Sequence, residues 1–286
     1  MGKIDKRSNL LLQDFMQEYV IPNRPVILTD ASKTWQAHGL FTPQFFKTNF
    51  ADKTAPLKGK VYKLADYIDL MLTTTPENPA PYPFKLNLEK NFKELIGLVQ
   101  PDFEIMKKNR LKSPFFLKSF IPQAATLEIF FGGPSGWFPY IHYDLYGMYA
   151  IVTQVYGHKE FILYEPGEEK YLYPDPENPW MSTIKNYHDP DYDKYPLFKN
   201  AKSVSDVVGP GETVFVPKGW WHTARSLEPT ISIAKDLLVH QNWDVFRRDV
   251  VFYKRKQSML KAGVMNLYLN VLDGIMNVHE KMIAEY

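Results

Sequence analysis

The chain has 286 residues, 45% of them hydrophobic, with 34 lysines and arginines against 32 aspartates and glutamates, a net charge of +2 and no cysteine. This composition predicts a folded protein with a sizeable core; it argues against a nucleic-acid partner and excludes disulfides and thiolate metal sites. No apolar run reaches the roughly 18 residues that span a bilayer, and the charged N-terminus lacks the apolar core of a signal peptide, so we expect a cytoplasmic protein without a membrane partner.

The first 120 residues alternate helical patterns with short strands and are predicted to form a mixed α/β lead-in. Apolar spacing indicates helices over residues 9–19, 63–72 and 91–99, and a strand over residues 24–28. Thr42 followed by Pro43 is typical of a helix N-cap. Residues 73–83 carry four prolines and are predicted to be a loop.

After residue 120 the pattern changes to short strands separated by Gly and Pro. Strand-like runs rich in β-branched and aromatic residues occupy residues 125–133, 147–157, 159–166, 203–211, 212–219 and 229–239. Residues 121–242 are therefore predicted to form a β-sandwich or barrel, interrupted by a long loop over residues 167–200. The helical period returns over residues 243–286, with breaks expected near Gly263 and Gly274.

A metal site is suggested by His142, Asp144 and His222. On a strand, residues i and i+2 point to the same side, so His142 and Asp144 would converge, and His222 follows a later strand after a short turn. Two imidazoles and one carboxylate on one face form the facial triad of non-haem Fe(II) oxygenases, which leaves open positions on the metal.

An alternative triplet is His158-Lys-Glu160, which also places a carboxylate two residues after a histidine. It lies at a glycine turn and puts a lysine between the ligands, so we favour the first triplet. The remaining histidines have no partner pattern and are interpreted as structural: His38, His188, His240 and His279.

Lys159 begins a predicted strand after the Gly157 turn. If its side chain faces a barrel interior, it needs an anionic partner, because an unpaired buried charge is costly. A cosubstrate carboxylate is one such partner. The alternative is a lysine at a strand edge in solvent, which is the commoner environment for lysine.

The order of these motifs resembles the cupin-like JmjC hydroxylases. The similar stretches are FPYIHYD up to Asp144, GHKEFILYEP from Gly157, and VGPGETVFVPKGWWH ending at His222. Within that family, the pattern is similar to that of the asparaginyl hydroxylase acting on hypoxia-inducible factor. The resemblance implies a double-stranded β-helix with flanking helices, and Fe(II), 2-oxoglutarate and O₂ as cofactors. His142, Asp144 and His222 match the iron ligands, and Lys159 matches the lysine that binds 2-oxoglutarate.

The chain departs from this family at several positions. The lysine lies 17 residues after the first histidine instead of 15, which a longer turn near residues 145–148 can absorb. Asn87 stands where relatives have a tyrosine, and Asp236 where they have an asparagine. We therefore expect Asn87 to belong to the cosubstrate site, with Tyr149 or Tyr140 replacing lost contacts.

These observations predict an oxygenase that hydroxylates a C–H bond of a protein side chain, a peptide or a small molecule. Two alternatives are a non-oxidative metal-dependent cupin isomerase or epimerase, and a cupin-like binding protein that has lost catalysis. The resemblance and the apolar pattern of residues 243–286 also predict a homodimer through the C-terminal helices. Val264, Leu267, Val271 and Ile275 would form its central stripe, widened by Tyr268, Leu272 and Met276.

Overall fold

The fold is built around two facing β-sheets, seen in a computed structural model that describes residues 2–75, 77–117 and 127–284. The major sheet has seven strands in the order β2-β3-β11-β8-β13-β7-β6, and the minor sheet has four in the order β1-β10-β9-β12. The strands β4 and β5 form a separate hairpin. The facing sheets form a double-stranded β-helix flanked by helices, which confirms the predicted fold class.

The strands are mostly short and antiparallel. Their bounds are β1 Gly2–Lys3, β2 Asp5–Arg7, β3 Val26–Leu28, β4 Thr54–Leu57, β5 Lys60–Lys63, β6 Phe84–Asn87, β7 Leu127–Gly132, β8 Tyr149–Tyr156, β9 Lys159–Tyr164, β10 Ser203–Val208, β11 Thr213–Val216, β12 Trp221–Ser226 and β13 Thr230–Leu237. The predicted strands are confirmed, although residues 125 and 126 of one lie outside the described residues. The sequence analysis did not predict the strands β1, β2, β4, β5, β6 and β12.

The helices flank the sheets on the N-terminal and C-terminal sides. Their bounds are α1 Leu12–Phe15, continued as a π-helix over Met16–Val20, then α2 Pro43–Asn49, α3 Leu64–Thr73, α4 Leu88–Asn91, α5 Glu169–Leu172, α6 His240–Arg255 and α7 Met259–Ala284. Thr42 caps α2 as predicted, because its side chain accepts a hydrogen bond from the Phe45 amide. Shorter 3₁₀ turns cover Lys93–Val99, Glu104–Lys108, Arg110–Lys112, Leu145–Gly147 and Phe198–Asn200.

Strand alternation decides which side chains face the space between the sheets. On β9, Phe161 and Leu163 point inward and join a cluster with Val214 and Val216 of β11. Their neighbours Ile162 and Tyr164 point outward, where they pack under the 167–200 segment. The same period places Lys159 on the inward face of β9. The inward face of β9 therefore carries both apolar side chains and a buried lysine.

The outer faces of both sheets are covered by other parts of the chain. The largest cluster packs the outer face of the major sheet against the N-terminal elements, and it includes Phe46, Phe84, Phe131 and Ile233. The long segment over residues 167–200 packs its own side chains, among them Leu172 and Phe198, against the minor sheet. Both sheets are thus fixed from outside, which holds their inward side chains in place.

The C-terminal helices α6 and α7 form a hairpin packed beside the sheets. Leu269, Leu272 and Met276 of α7 are buried against Trp243 and Phe246 of α6. The breaks predicted near two glycines of this segment, Gly263 and Gly274, are wrong, because α7 runs through both positions and the chain turns between Arg255 and Met259. A glycine costs a helix interior only about 1 kcal/mol, which this packing offsets. Among the described residues, no helix is long and apolar enough to cross a membrane.

Candidate metal centre

The two candidate histidine ligands lie side by side, although His142 lies outside the named strands and forms an isolated β-bridge with His222 of β12. The backbone of His142 pairs with that of His222 through two hydrogen bonds, with N–O distances of 3.0 and 2.6 Å. Asp144 follows two residues after His142, and its Oδ2 lies 3.9 Å from His222 Nε2. One ligand atom from each of the three residues lies within 4.8 Å of the others. The predicted triad is therefore brought together at one point.

The surroundings of His142 favour a neutral imidazole, the form that binds metals. The pKa of His142 is well below its usual value because the ring is buried and lies beside His222. Its Nδ1 is buried and, within the described part of the chain, has no hydrogen-bond partner. The Nδ1 of His222 lies 3.0 Å from the Trp220 carbonyl. Because a carbonyl only accepts, this nitrogen carries the proton and Nε2 is left as the metal ligand.

This donor set fits a divalent cation. Two neutral imidazoles and one carboxylate on a single face are the ligands that non-haem Fe(II) uses in oxygenases. Asp144 is the most accessible of the three, with 31% of its side chain exposed. The face opposite the ligands opens into a cavity of about 310 Å³ between the sheets, which leaves room for further ligands.

The cavity connects the triad to Lys159. Its aromatic walls include Phe138, which stacks on the His142 ring at 4.4 Å, and Trp180 from the 167–200 segment. Lys85 and Glu128 lie on the major-sheet side and form an ion pair with an N–O distance of 2.8 Å. The metal centre and the lysine thus belong to one chamber with a mixed apolar and polar lining.

Lys159 is buried, with only 2% of its surface exposed, so its placement at a solvent edge is wrong. Its Nζ donates to the hydroxyls of Ser232, at 2.6 Å, and Tyr82, at 3.1 Å. Burial lowers the pKa of Lys159 to about 7. Among the described residues no carboxylate forms an ion pair with it, so the cavity offers an anion a cationic end that the protein itself does not neutralise.

Tyr82 and Ser232 were missed by the sequence analysis. Tyr82 lies in the proline-rich loop before β6, and it reaches Lys159 across 77 residues of sequence. Ser232 lies on β13, where it also donates to Gln154 Oε1 at 2.9 Å. Inward alternation on β13 could have indicated Ser232, but no sequence pattern indicated Tyr82.

Asn87 does not line the cavity, which corrects the prediction that it contacts a cosubstrate. It is the last residue of β6, and its side chain accepts a hydrogen bond from the Lys90 amide at 2.8 Å. The side chain is therefore used to cap α4. Tyr82, five residues earlier, lines the cavity instead.

Tyr149 is also absent from the cavity lining, so the prediction that it contacts a cosubstrate is corrected as well. It shares the outward face of β8 with Ile151 and Val155, and it is buried in the cluster behind the major sheet. Tyr140 and Asp236, by contrast, do line the cavity. The alternation on β8, with Ala150 and Val152 facing inward, gives the physical reason.

The alternative triplet His158-Lys-Glu160 is wrong. His158 is exposed and pairs with Glu228, with an N–O distance of 2.5 Å. Glu160 points outward from β9 and pairs with Arg225. The middle residue of the triplet faces the interior, so the two outer residues face away from the cavity.

Comparisons with known proteins agree with this geometry. Residues 44–244 match the model of the cupin-like domain family. Lysine-specific demethylase JMJ21 of Arabidopsis thaliana is 26% identical over 93% of this chain and 28% of its own length. The 2-oxoglutarate and iron-dependent oxygenase JMJD4 of Gallus gallus is 23% identical over 84% of this chain and 59% of its own length.

A third relative, the bifunctional arginine demethylase and lysyl-hydroxylase psr-1 of Caenorhabditis elegans, is 26% identical over 82% of this chain. The chain spans 28% to 60% of the length of these three relatives. The narrower resemblance to the asparaginyl hydroxylase stays a prediction. Because the family model covers more than half of the chain, this chain belongs to the cupin-like domain family.

Proposed function

We propose that this protein is an Fe(II)- and 2-oxoglutarate-dependent oxygenase that hydroxylates a C–H bond. The observation that carries the proposal is one cavity with a facial triad at one end and the buried Lys159 at the other. A relative named as a 2-oxoglutarate and iron-dependent oxygenase supports it. When bound, the metal, 2-oxoglutarate and O₂ would supply the oxidising chemistry, with release of succinate and CO₂.

Different residues of the chain would bind the metal and the cosubstrate. His142, Asp144 and His222 would hold the cation on one face and leave its other face toward the cavity. Lys159, assisted by Tyr82 and Ser232, would bind a carboxylate at the far end and so orient the cosubstrate. The ring of Phe138 stacks on His142 and covers one face of that ligand.

The geometry bears on both alternatives. A non-oxidative cupin isomerase usually needs a further His or Glu ligand, and within the described residues the triad is the single group of three or more candidate ligands. A binding protein that has lost catalysis would have no use for an unneutralised buried lysine facing a metal site. Both observations favour the oxygenase.

The test is succinate formation from 2-oxoglutarate by purified protein with Fe(II) under air. Wild-type protein is expected to form succinate, and His222→Ala is expected to form none above background. Equal rates in the two proteins would rule out the proposed site. Metal binding without any succinate formation, across candidate substrates, would favour one of the two alternatives.

We propose a protein or peptide side chain as the substrate, with a small molecule as the alternative. The named relatives support a protein substrate, since they include a lysine-specific demethylase and a lysyl-hydroxylase. Demethylation of nitrogen also begins with hydroxylation of a C–H bond, so the same site serves either outcome. Mass spectrometry of candidate peptides distinguishes a gained oxygen from a lost methyl group.

We propose a cytoplasmic location on the sequence grounds given above.

We also propose a homodimer through the outer face of α7. Val264, Val271 and Ile275 are exposed on this face, together with Leu260 at 78% and Leu267 at 67%. Leu272 and Met276, expected to widen the stripe, are instead buried on the inner face against α6. The remaining exposed side chains follow helical spacing along one line, and a second copy of the same helix would bury them.

Light scattering tests the dimer. The wild-type chain is expected to have twice the monomer mass at micromolar concentration, and Val264→Glu/Leu267→Glu is expected to be a folded monomer. Lys261→Glu on the same helix is a matched control for added negative charge. A monomeric wild-type chain would contradict the proposal.

A further inference from the structure

The turn that carries Asp144 has an unusual backbone. Asp144 begins the 3₁₀ turn Leu145–Gly147, in which Tyr146 has φ 60° and Gly147 has φ 58°. A residue with a side chain seldom adopts this left-handed conformation unless its surroundings hold it there. Asp144 makes no capping hydrogen bond to the turn with its own side chain. The turn therefore depends on contacts from outside.

Asn242, in the first turn of α6, supplies the polar contacts. Its side chain is fully buried, and its Nδ2 donates to the carbonyl of Gly147 at 2.8 Å and to that of Leu237 at 3.1 Å. Its Oδ1 accepts from the Val239 amide at 2.7 Å. One amide group thus joins the turn, the end of β13 and the start of α6.

Apolar side chains of α6 supply the remaining contacts. A Cβ atom added to Gly147 would lie 2.5 Å from Cγ1 of Val245, so the helix packs directly on the turn. The Tyr146 ring contacts Phe246 and Tyr253, with ring centroids 6.4 and 5.5 Å apart. All of these side chains come from α6, so the helix packs against the segment that follows Asp144.

The three metal ligands are consequently held by different means. The backbone of His142 pairs with that of His222 on β12 of the minor sheet. In the part of the chain that the structure describes, the Asp144 carboxylate lies near His222 but makes no capping hydrogen bond, so its position depends on the backbone of the turn. Mutation of residues that orient the ligands of a metal site typically weakens metal affinity or activity about 10- to 100-fold.

We propose that Asn242 is a positioning residue for the metal centre, acting through the Gly147 carbonyl on the carboxylate of Asp144. The inference rests on the proposed metal site. It makes α6 part of the metal-binding machinery, although no side chain of α6 lines the cavity.

The test uses Co(II) alone as the probe, with affinity from calorimetry and ligand geometry from the visible absorption spectrum. Asn242→Leu keeps the branch at Cγ, places methyl groups where the amide oxygen and nitrogen lie, and removes all three hydrogen bonds. We expect Co(II) binding about 10- to 100-fold weaker, with a changed spectrum and unchanged strand content by circular dichroism. A structural role alone would lower the melting temperature and leave the spectrum as in the wild type.

Arg110→Met is the matched control. Arg110 is equally buried and binds Asp273 and Glu280 of α7, but it does not contact the turn. Its loss is expected to lower stability while leaving Co(II) affinity and spectrum unchanged. A comparable loss of Co(II) affinity in Arg110→Met would overturn the inference, because general loosening of the helices would then explain both variants.

Val245→Ala provides a second variant that keeps every hydrogen bond and should fold. It removes the methyl groups packed on Gly147, so we expect a smaller loss of Co(II) affinity in the same direction. Wild-type affinity in Val245→Ala, together with wild-type affinity or failure to fold in Asn242→Leu, would overturn the inference. Absence of Co(II) binding by the wild-type protein would instead overturn the proposed metal site.

Discussion

The two ends of the central cavity differ in how the chain assembles them. At the metal end, two ligands are separated by one residue and the third lies on the neighbouring strand. At the anion end, Lys159 meets Tyr82 and Ser232, which are 77 and 73 residues away in sequence. At the metal end the side chain of Asp144 is partly exposed, whereas Lys159 at the anion end is buried. A local motif can therefore reveal the first end, but only the fold reveals the second.

The difference extends to the energetics of each end. At the metal end burial favours the neutral form of His142, which a metal requires. At the anion end burial disfavours the charged form of Lys159, which an anion requires. Burial of the Lys159 ammonium group therefore destabilises the folded protein, and a bound anion would offset this. Each prediction below changes one end and asks whether the other responds.

Removal of a metal ligand should have the largest effect. His222→Ala is expected to abolish both Fe(II) binding and succinate formation while the fold persists, because β12 is held by its pairing with β9. Metal titration and a turnover assay measure the two effects. His158→Ala, which changes an exposed histidine, is the control and should behave as the wild type. Retained turnover in His222→Ala would show that the metal end is misassigned.

Lys159→Met should weaken 2-oxoglutarate binding while leaving metal binding intact. A hydrogen bond to a charged group contributes about 1.5–3 kcal/mol, so we expect a loss of about 10- to 150-fold in affinity. The same change should raise the free energy of unfolding at pH 7 by about 1–3 kcal/mol, because an imperfectly compensated buried group is removed. Calorimetry and urea denaturation check the two effects.

The stability gain should depend on pH with a defined sign. The pKa of Lys159 is lower in the folded protein than in the unfolded chain. The destabilisation is therefore greatest below about pH 7 and disappears toward pH 10.5, the ordinary pKa of a lysine. Lys218→Met is the matched control. Lys218 also has a lowered pKa and donates to a tyrosine hydroxyl, that of Tyr149, but it lies outside the cavity. Weaker 2-oxoglutarate binding in both variants would contradict the assignment of Lys159.

Binding of 2-oxoglutarate should take up a proton above pH 7. Burial holds the pKa of Lys159 at about 7 in the empty protein, and a bound carboxylate would raise it. The affinity of the metal-loaded protein is therefore expected to fall as pH rises above 7, by at most about tenfold per unit. Calorimetry in two buffers of different ionisation enthalpy counts the protons. Binding without proton uptake at pH 8 would show that Lys159 is already charged in the empty cavity.

Tyr82→Phe should have the smallest effect. It removes one hydroxyl from the anion end, and a hydrogen bond of this kind contributes about 0.5–1.5 kcal/mol. We expect 2-oxoglutarate affinity to fall about two- to twelvefold with unchanged metal affinity. Tyr149→Phe, which removes a buried hydroxyl outside the cavity, is the control. A larger loss in the control than in Tyr82→Phe would contradict the arrangement.

The sequence analysis predicted the parts of this molecule that local patterns determine. Strand alternation and glycine turns indicated most of the β-strands. The triad was predicted from the one-residue spacing of a strand, although His142 and Asp144 lie outside the named strands. It failed where a residue's role depends on distant partners. The Asn87 side chain caps α4 instead of contacting a ligand. Tyr149 lies on the outward face of β8, away from the cavity. Tyr82 carried no local signal, because only the closing of the sheets brings it to Lys159. The division into segments 1–120, 121–242 and 243–286 stays a prediction.

The central claim is that one 2-oxoglutarate dianion binds both to the metal at one end of the cavity and to Lys159 at the other. Anaerobic titration of 2-oxoglutarate into the Fe(II)-loaded protein, followed by the visible absorption of the iron chelate, tests it most directly. We expect saturable binding of one 2-oxoglutarate per chain, no absorption change in His222→Ala, and a change only at much higher concentration in Lys159→Met. Binding of equal affinity in wild type and Lys159→Met, or no absorption change in the wild type, would contradict the account.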